Sequence, residues 1–204
     1  MDELPIVRRI RVLVFGLVAV FAVSIGLSPV AAQTHGGPEK FTAFAVNLDG
    51  TPVAPTGAAV VEMVVERYST DAERDRLLKA LMEKGPEKLL DTLQSLPRVG
   101  YIRTPNSIGY DLHYARKAPL PEGGERVVLV TDRYISFWEA VNRPRTIDYP
   151  FTVIEMHLNP DGVGEGKMSI ATKITMDKEH SQIVLENYGS QPVLLTKVRR
   201  EPAS

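Results

Sequence analysis

The half of the chain after Pro97 alternates short apolar segments with tight-turn signals, and this pattern constrains the fold more than any other feature. The strand-like segments are 98–104, 107–115, 126–131, 151–158, 167–176, 183–188 and 193–198. Most of them are separated by turn residues, such as Pro105-Asn106 and Asn159-Pro160-Asp161-Gly162. Short strands joined in this way pair with their neighbours, so the sequence predicts an antiparallel meander that forms a barrel or a sandwich.

Two further strands and a helical region come before the meander. The strands are predicted at 41–48 and 58–68. In the second, Val61, Met63 and Val65 alternate with glutamates, as in a half-buried strand.

The region 70–96 has the pattern of two helices. Thr70 and Glu73 form a capping box at its start, and leucines recur at helical spacing on both sides of Gly85 and Pro86. Glycine is common just after a helix, and proline suits the first turn of the next one. The sequence therefore predicts a mainly β (α+β) domain over 41–204, with eight or nine strands and an inserted helical hairpin.

The first 32 residues have the order of a secretory signal peptide. Three arginines between positions 8 and 11 precede Val12–Leu27, where 13 of 16 residues are aliphatic or Phe, and small residues lead to Ala32. This order predicts export with cleavage after Ala32, followed by a flexible leader at 33–40. The alternatives are a retained anchor, which normally needs about 20 apolar residues, and the twin-arginine route.

Composition excludes several classes of function. With 24 Lys and Arg against 25 Asp and Glu, the chain has no basic excess for binding nucleic acid. It contains no cysteine, which excludes disulfides, thiol nucleophiles, Cys-ligated zinc, iron–sulfur clusters and covalently attached haem. It also lacks Asn-x-Ser/Thr sequons, so an exported chain of this kind fits a bacterial periplasm or exterior. No cofactor is predicted.

Common catalytic motifs are absent or broken. The chain has no Gly-x-Ser-x-Gly and no His-Glu-x-x-His. The glycine-rich stretch from Gly162 to Lys167 lacks the first glycine of a P-loop, where Asp161 stands, and Met168 replaces the Ser or Thr after the lysine. We interpret it as a turn that leads into a bulged strand.

Two carboxylate–histidine pairs are the candidates for metal or acid–base chemistry. Asp111 and His113 are two residues apart in one predicted strand, and Glu155 and His157 are two apart in another. Each pair should share a sheet face. Two histidines with carboxylates can ligate Zn²⁺ or Fe²⁺, or act as general acid and base, if the two strands meet. The alternative is an ordinary polar strand face in water.

The segment 136–150 concentrates aromatic and arginine residues. It contains Phe137, Trp138, Arg143, Arg145 and Tyr149, a combination typical of ligand grooves and interfaces. Large aromatic residues also close the ends of barrels as buried plugs.

The sequence favours a non-catalytic exported domain that binds a small apolar ligand or a partner protein, with this aromatic segment as its candidate site. A metal-dependent or acid–base enzyme is the alternative. Membrane contact is expected only through an uncleaved signal segment. The identity of the ligand and the oligomeric state stay open.

Overall fold

The computed structural model describes residues 8–11, 37–48, 57–105, 107–133, 149–177, 179, 182–187 and 191–202. Within these ranges the chain forms eleven strands and one helix. In chain order they are β1 (Arg8–Arg11), β2 (Glu39–Asn47), β3 (Gly57–Val65), α1 (Asp71–Gln94), β4 (Gly100–Arg103), β5 (Tyr110–Leu112), β6 (Tyr114–Pro119), β7 (Glu125–Thr131), β8 (Phe151–Leu158), β9 (Val163–Asp177), β10 (Gln182–Asn187) and β11 (Val193–Glu201).

The strands form one antiparallel sheet that curves into a nearly closed barrel. Of the two architectures that the sequence predicts, a barrel or a sandwich, the structure is close to the barrel. The main path runs β5-β4-β3-β2-β11-β9-β8-β7-β6, and β10 pairs with β9 and β1 off this path. The two ends of the path, β5 and β6, follow each other in the chain on either side of His113. The sheet therefore curves until its first and last strands approach each other.

The prediction of a single strand at 107–115 is wrong. β5 ends at Leu112 and β6 begins at Tyr114, with His113 at the break, where its backbone N–H donates to the Val130 carbonyl at 3.0 Å. The chain passes from one end of the sheet to the other at this residue. Asp111 and His113 therefore do not share one strand, and more strands form than the eight or nine expected.

The barrel interior is filled by side chains from strands on all sides. Alternation along β7 and β8 places one set of apolar residues inside and a second set on the outer face of the sheet. The inward residues are Val127, Leu129, Ile154, Met156 and Leu158. The outward residues are Val128, Val130, Phe151 and Val153. The alternation in 151–158 predicts these two faces of β8, and the structure confirms them.

One helix, α1, takes the place of the predicted helical hairpin. The capping box at its start is confirmed: Thr70 Oγ1 accepts from the Glu73 N–H, and a Glu73 oxygen accepts from the Thr70 N–H. The predicted break becomes a sharp kink within the helix, because Gly85 has φ 79° and ψ −168° and Pro86 follows it. The kink brings the Arg76 guanidinium within 3.1 Å of Ser95 Oγ.

The helix packs on the outer face of the sheet. Leu77, Leu81, Leu89 and Leu93 of α1 are buried there, in a second apolar cluster separate from the barrel interior. Strands β7 and β8 are consequently covered on both faces, which explains why they carry apolar residues at consecutive positions.

Strand β9 contributes to both clusters because it contains a β-bulge. Ala171 has φ 49°, and the pairing of β8 with β9 shifts register there. Before the bulge Met168 and Ile170 lie in the barrel interior, whereas Ile174 beyond it lies in the outer cluster. An extra residue in one strand reverses the alternation of side chains, which accounts for the change of face.

A half-buried charged cluster closes one end of the barrel. Lys117 Nζ and Tyr68 Oη donate to the two Glu39 oxygens at 2.7 and 2.6 Å, and the ammonium lies 4.7 Å from the centre of the Tyr68 ring. Arg200 pairs with Glu125 and approaches Glu39 at 3.6 Å. These contacts link β2 and β11 to β6 and β7 across the barrel.

Of the first 36 residues, the structure describes only those of β1. Arg8–Arg11 pair antiparallel with Val184–Asn187 of β10. The rest of the predicted signal peptide lies outside the described residues, and β2 begins within the predicted leader, at Glu39. In the part of the chain that the structure describes, no helix combines the length and apolarity needed to cross a membrane.

Candidate ligand-binding site

A pocket of about 340 Å³ lies between α1 and the outer face of the sheet. We call it the α1 pocket. Its walls are mostly apolar: Leu77, Leu78, Leu81, Leu89 and Leu93 come from α1, and Tyr114, Ala118, Val128, Val130, Phe151, Val153, Ile174, Ile183 and Leu185 come from the sheet. Ligand pockets typically span about 300–1,000 Å³, so this one has the size for a small ligand.

The pairing of β6, β7 and β8 explains where the polar lining residues lie. Tyr114, Val130 and Val153 form one row across the three strands. In the next row Val128 lies between Arg116 of β6 and Glu155 of β8.

The row after that places Arg126 between Ala118 and His157. Because polarity rises from row to row, the pocket is apolar towards one end of the strands and charged towards the other.

Helix α1 adds a third arginine to the lining. Arg74 donates to Asp75 at 2.7 and 2.9 Å and lies 3.3 Å from Asp71. Arg116 donates to the same Asp71 at 2.9 Å, which ties the first turn of α1 to β6. Asp71 is thus shared between the two arginines Arg74 and Arg116.

Tyr114 brings a hydroxyl group into this charged setting. Burial raises the pKa of Tyr114, and the nearby positive charges of Arg116 and Arg74 offset only part of that effect. The phenol therefore stays protonated at neutral pH and is available as a hydrogen-bond donor.

The two predicted carboxylate–histidine pairs lie in separate places. His113 contacts the Val130 carbonyl through its backbone, whereas His157 lies opposite Arg126, four residues away along β7. That offset corresponds to about 13 Å at the rise of a strand. Asp111 makes an ion pair with Arg98 at 3.3 Å.

Each histidine is engaged locally. His157 Nε2 lies 2.9 Å from Glu155 Oε1 on the exposed strand face. His113 Nδ1 lies 3.1 Å from the Leu96 carbonyl at the end of the helical region, and its Nε2 is 3.8 Å from Asp132. Among the described residues no group of three or more His, Cys, Asp or Glu is placed to hold a metal ion.

Most of the predicted aromatic–arginine site lies outside the described residues. This applies to Phe137, Trp138, Arg143 and Arg145. Tyr149 is described and lies two residues before Phe151, which lines the α1 pocket.

Comparison of the chain with models of known protein families, with curated proteins and with solved structures finds no match. Function is therefore inferred from the α1 pocket and the residues that line it.

Of the residues that line this pocket, the sequence singles out only Glu155 as a candidate functional residue. It places the leucines on a helix without assigning them to a site, and it does not single out the three arginines. The signal that points to it is the run Val127–Val130, which is apolar on both faces of its strand. Such a strand needs a cover on each side. The helix 71–94, with its leucine stripe, is the element that supplies the outer cover.

Proposed function

We propose that this chain is a non-catalytic, exported binding domain that holds a small apolar ligand in the α1 pocket. The observation that carries the proposal is the pocket itself, which has a volume of about 340 Å³. Aliphatic side chains form most of its walls, and a few polar side chains line one end. Ligand sites commonly combine an apolar body with a small number of polar groups that orient the ligand.

The packing of the barrel supports this location over the barrel interior. Among the described residues, twenty buried apolar side chains fill the interior, and the largest of them, including Phe41, Met63 and Ile102, are fully enclosed. A ligand held inside the barrel would have to displace this core. The space under α1 requires no such displacement.

The aromatic segment 136–150 belongs to the proposal as a candidate contact for the same ligand. Its described end, Tyr149, adjoins the strand that forms one wall of the pocket. Native mass spectrometry of protein purified from its own compartment tests this directly: a co-purified ligand that is lost on Trp138→Ala supports the contact.

Export is proposed from the order of basic, apolar and small residues in the first 32 positions. N-terminal sequencing of the protein from the periplasm or medium should give a chain that begins at Gln33. A chain that still begins at Met1 and resists alkaline extraction from membranes would contradict export.

Filling the pocket tests the binding function. Leu78 is half-buried and lines the pocket, so Leu78→Trp should occupy space that a ligand needs. Met82, one turn later, is 55% exposed and lies outside the lining, which makes Met82→Trp a matched control. With the neutral fluorescent probe N-phenyl-1-naphthylamine, we expect saturable binding that Leu78→Trp weakens about tenfold, the equivalent of losing a few buried methylene contacts.

Met82→Trp should leave the affinity for the probe unchanged. If the wild-type protein shows no saturable binding, or if both variants bind as the wild type does, the α1 pocket is not a ligand site.

A further inference from the structure

Arginine side chains are concentrated at the polar end of the α1 pocket. Arg74, Arg116 and Arg126 line it together with a single carboxylate, that of Glu155. Asp75 and Asp71, which lie outside the lining, pair with Arg74 and Arg116. The positive charge that a ligand can meet in the pocket is therefore that of the remaining arginine, Arg126.

Arg126 differs from the other two arginines in how its donors are satisfied. Arg74 and Arg116 donate to Asp75 and Asp71 at 2.7–2.9 Å. Arg126 Nη1 is 3.9 Å from Glu155 Oε1, which is too long for a hydrogen bond, and it makes none with other described residues. Its side chain is only 32% exposed.

The neighbouring carboxylate is already occupied. Glu155 Oε1 lies 2.9 Å from His157 Nε2, further along the same face of β8 than the apolar lining residues Phe151 and Val153. The guanidinium of Arg126 consequently keeps donors in a partly dehydrated position beside an apolar cavity. A planar guanidinium in such a place is suited to a bidentate contact with a carboxylate or phosphate.

We infer that the α1 pocket binds a single-chain anionic amphiphile, such as a fatty acid, with its oxyanion on Arg126 and its aliphatic chain between α1 and the outer face. The inference rests on the proposed function and adds the charge and shape of the ligand. The volume is at the small end of the range for ligand pockets, which suits one aliphatic chain and not the two chains of a phospholipid. The Tyr114 hydroxyl is a further donor in the lining of the pocket.

Isothermal titration calorimetry with ligands that share a ten-carbon chain tests the charge preference. Decanoate, decanol and decyltrimethylammonium are compared at pH 7, with the two ionic ligands below their critical micelle concentrations and decanol below its solubility limit. We expect decanoate to bind about tenfold or more tighter than decanol, as a charge-assisted hydrogen bond allows, and the ammonium compound to bind weakest. Decyl phosphate separates the two oxyanions: a tighter complex than that of decanoate assigns the site to a phosphate head group, and an equal or weaker one to a carboxylate.

Arg126→Gln tests the residue. It should reduce the affinity for decanoate to that for decanol and leave the affinity for decanol unchanged, which also shows that the pocket is intact. Lys167→Gln is the matched control, because Lys167 pairs with Glu155 on the next strand but does not line the pocket. It should keep the preference for decanoate.

The outcomes separate this inference from the proposed function. Equal binding of all three ligands overturns the anionic ligand while the pocket stands as an apolar site. A decanoate preference that survives Arg126→Gln overturns the assignment of the oxyanion to Arg126. Absence of binding by every ten-carbon ligand overturns both the inference and the proposed function.

Discussion

Two glycines allow β9 to run unusually close to β8. A Cβ atom at Gly164 would lie 1.8 Å from the His157 carbonyl oxygen, and one at Gly166 would lie 2.4 Å from that of Glu155. These obstacles are backbone atoms, which cannot rotate away as a side chain can. The backbone of β9 therefore packs directly against that of β8 at Glu155 and His157.

Gly164→Ala should destabilise the protein by about 1–3 kcal/mol, because the added methyl group forces the two backbones apart. Urea unfolding at pH 7 measures the loss. Gly37→Ala is the control, since no atom lies within 4 Å of its Cβ position. Equal unfolding midpoints for the two variants would show that the two strands can move apart without a loss of folding free energy.

At the scale of single elements, α1 matters most, because it forms one wall of the pocket. Its first turn is held by the capping box, by two hydrogen bonds from Arg67 to Glu73 at 2.9 and 3.0 Å, and by the contact of Asp71 with Arg116. Its leucines then bury the outer face of the sheet. The start of the helix and the polar end of the pocket are therefore stabilised by the same contacts.

Thr70→Ala should reduce the free energy of unfolding by about 1 kcal/mol, since it removes the side-chain acceptor of the capping box. Thr70→Ser keeps the hydroxyl and should restore most of the loss. Chemical denaturation followed by far-UV circular dichroism gives both values. A serine variant as unstable as the alanine variant would mean that the cap contributes little.

What the sequence predicts well is local. The capping box, the β8 span 151–158 with its two faces, and the turn at Asn159–Gly162 follow from neighbouring residues, and the structure confirms them. The break at Gly85 is also local, but its angle depends on packing against the sheet, so the predicted hairpin appears as one kinked helix.

The α1 pocket could not be predicted because it depends on which elements meet. Arg116 and Arg126 lie on separate strands, and only the pairing of β6 with β7 places them beside Arg74 of the helix. The same dependence explains why the two histidines, similar in sequence context, are far apart. His113 lies at the point where the chain leaves β5 for the opposite end of the sheet.

For the whole molecule, the charged cluster at the barrel end links stability to pH. Burial alone would raise the pKa of Glu39, but hydrogen bonds from Lys117 and Tyr68 and the charge of Arg200 outweigh it, so that the pKa is lowered. A carboxylate with a lowered pKa stabilises the folded state at pH values above its ordinary pKa, about 4.3. It loses this contribution as the pH falls below that value.

Glu39→Gln should therefore cost stability at pH 7, by about 1–3 kcal/mol, the usual penalty for breaking a partly buried charged hydrogen bond. The difference from wild type should stay constant between pH 5 and 7 and shrink below about pH 4.3. Thermal unfolding across this range measures it. Other carboxylates titrate in both proteins, so a difference that does not change with pH would remove Glu39 as the cause.

The bulge at Ala171 joins the two halves of β9, one half packed in the barrel and the other under α1. Because one continuous strand supplies both, the helix side cannot open by itself without loosening hydrogen bonds that the barrel shares. The domain is thus expected to behave as one cooperative unit, in which amide protons of the barrel and of the outer layer exchange with solvent through common openings. A molecule bound beneath the helix would then slow exchange at barrel amides that it never touches.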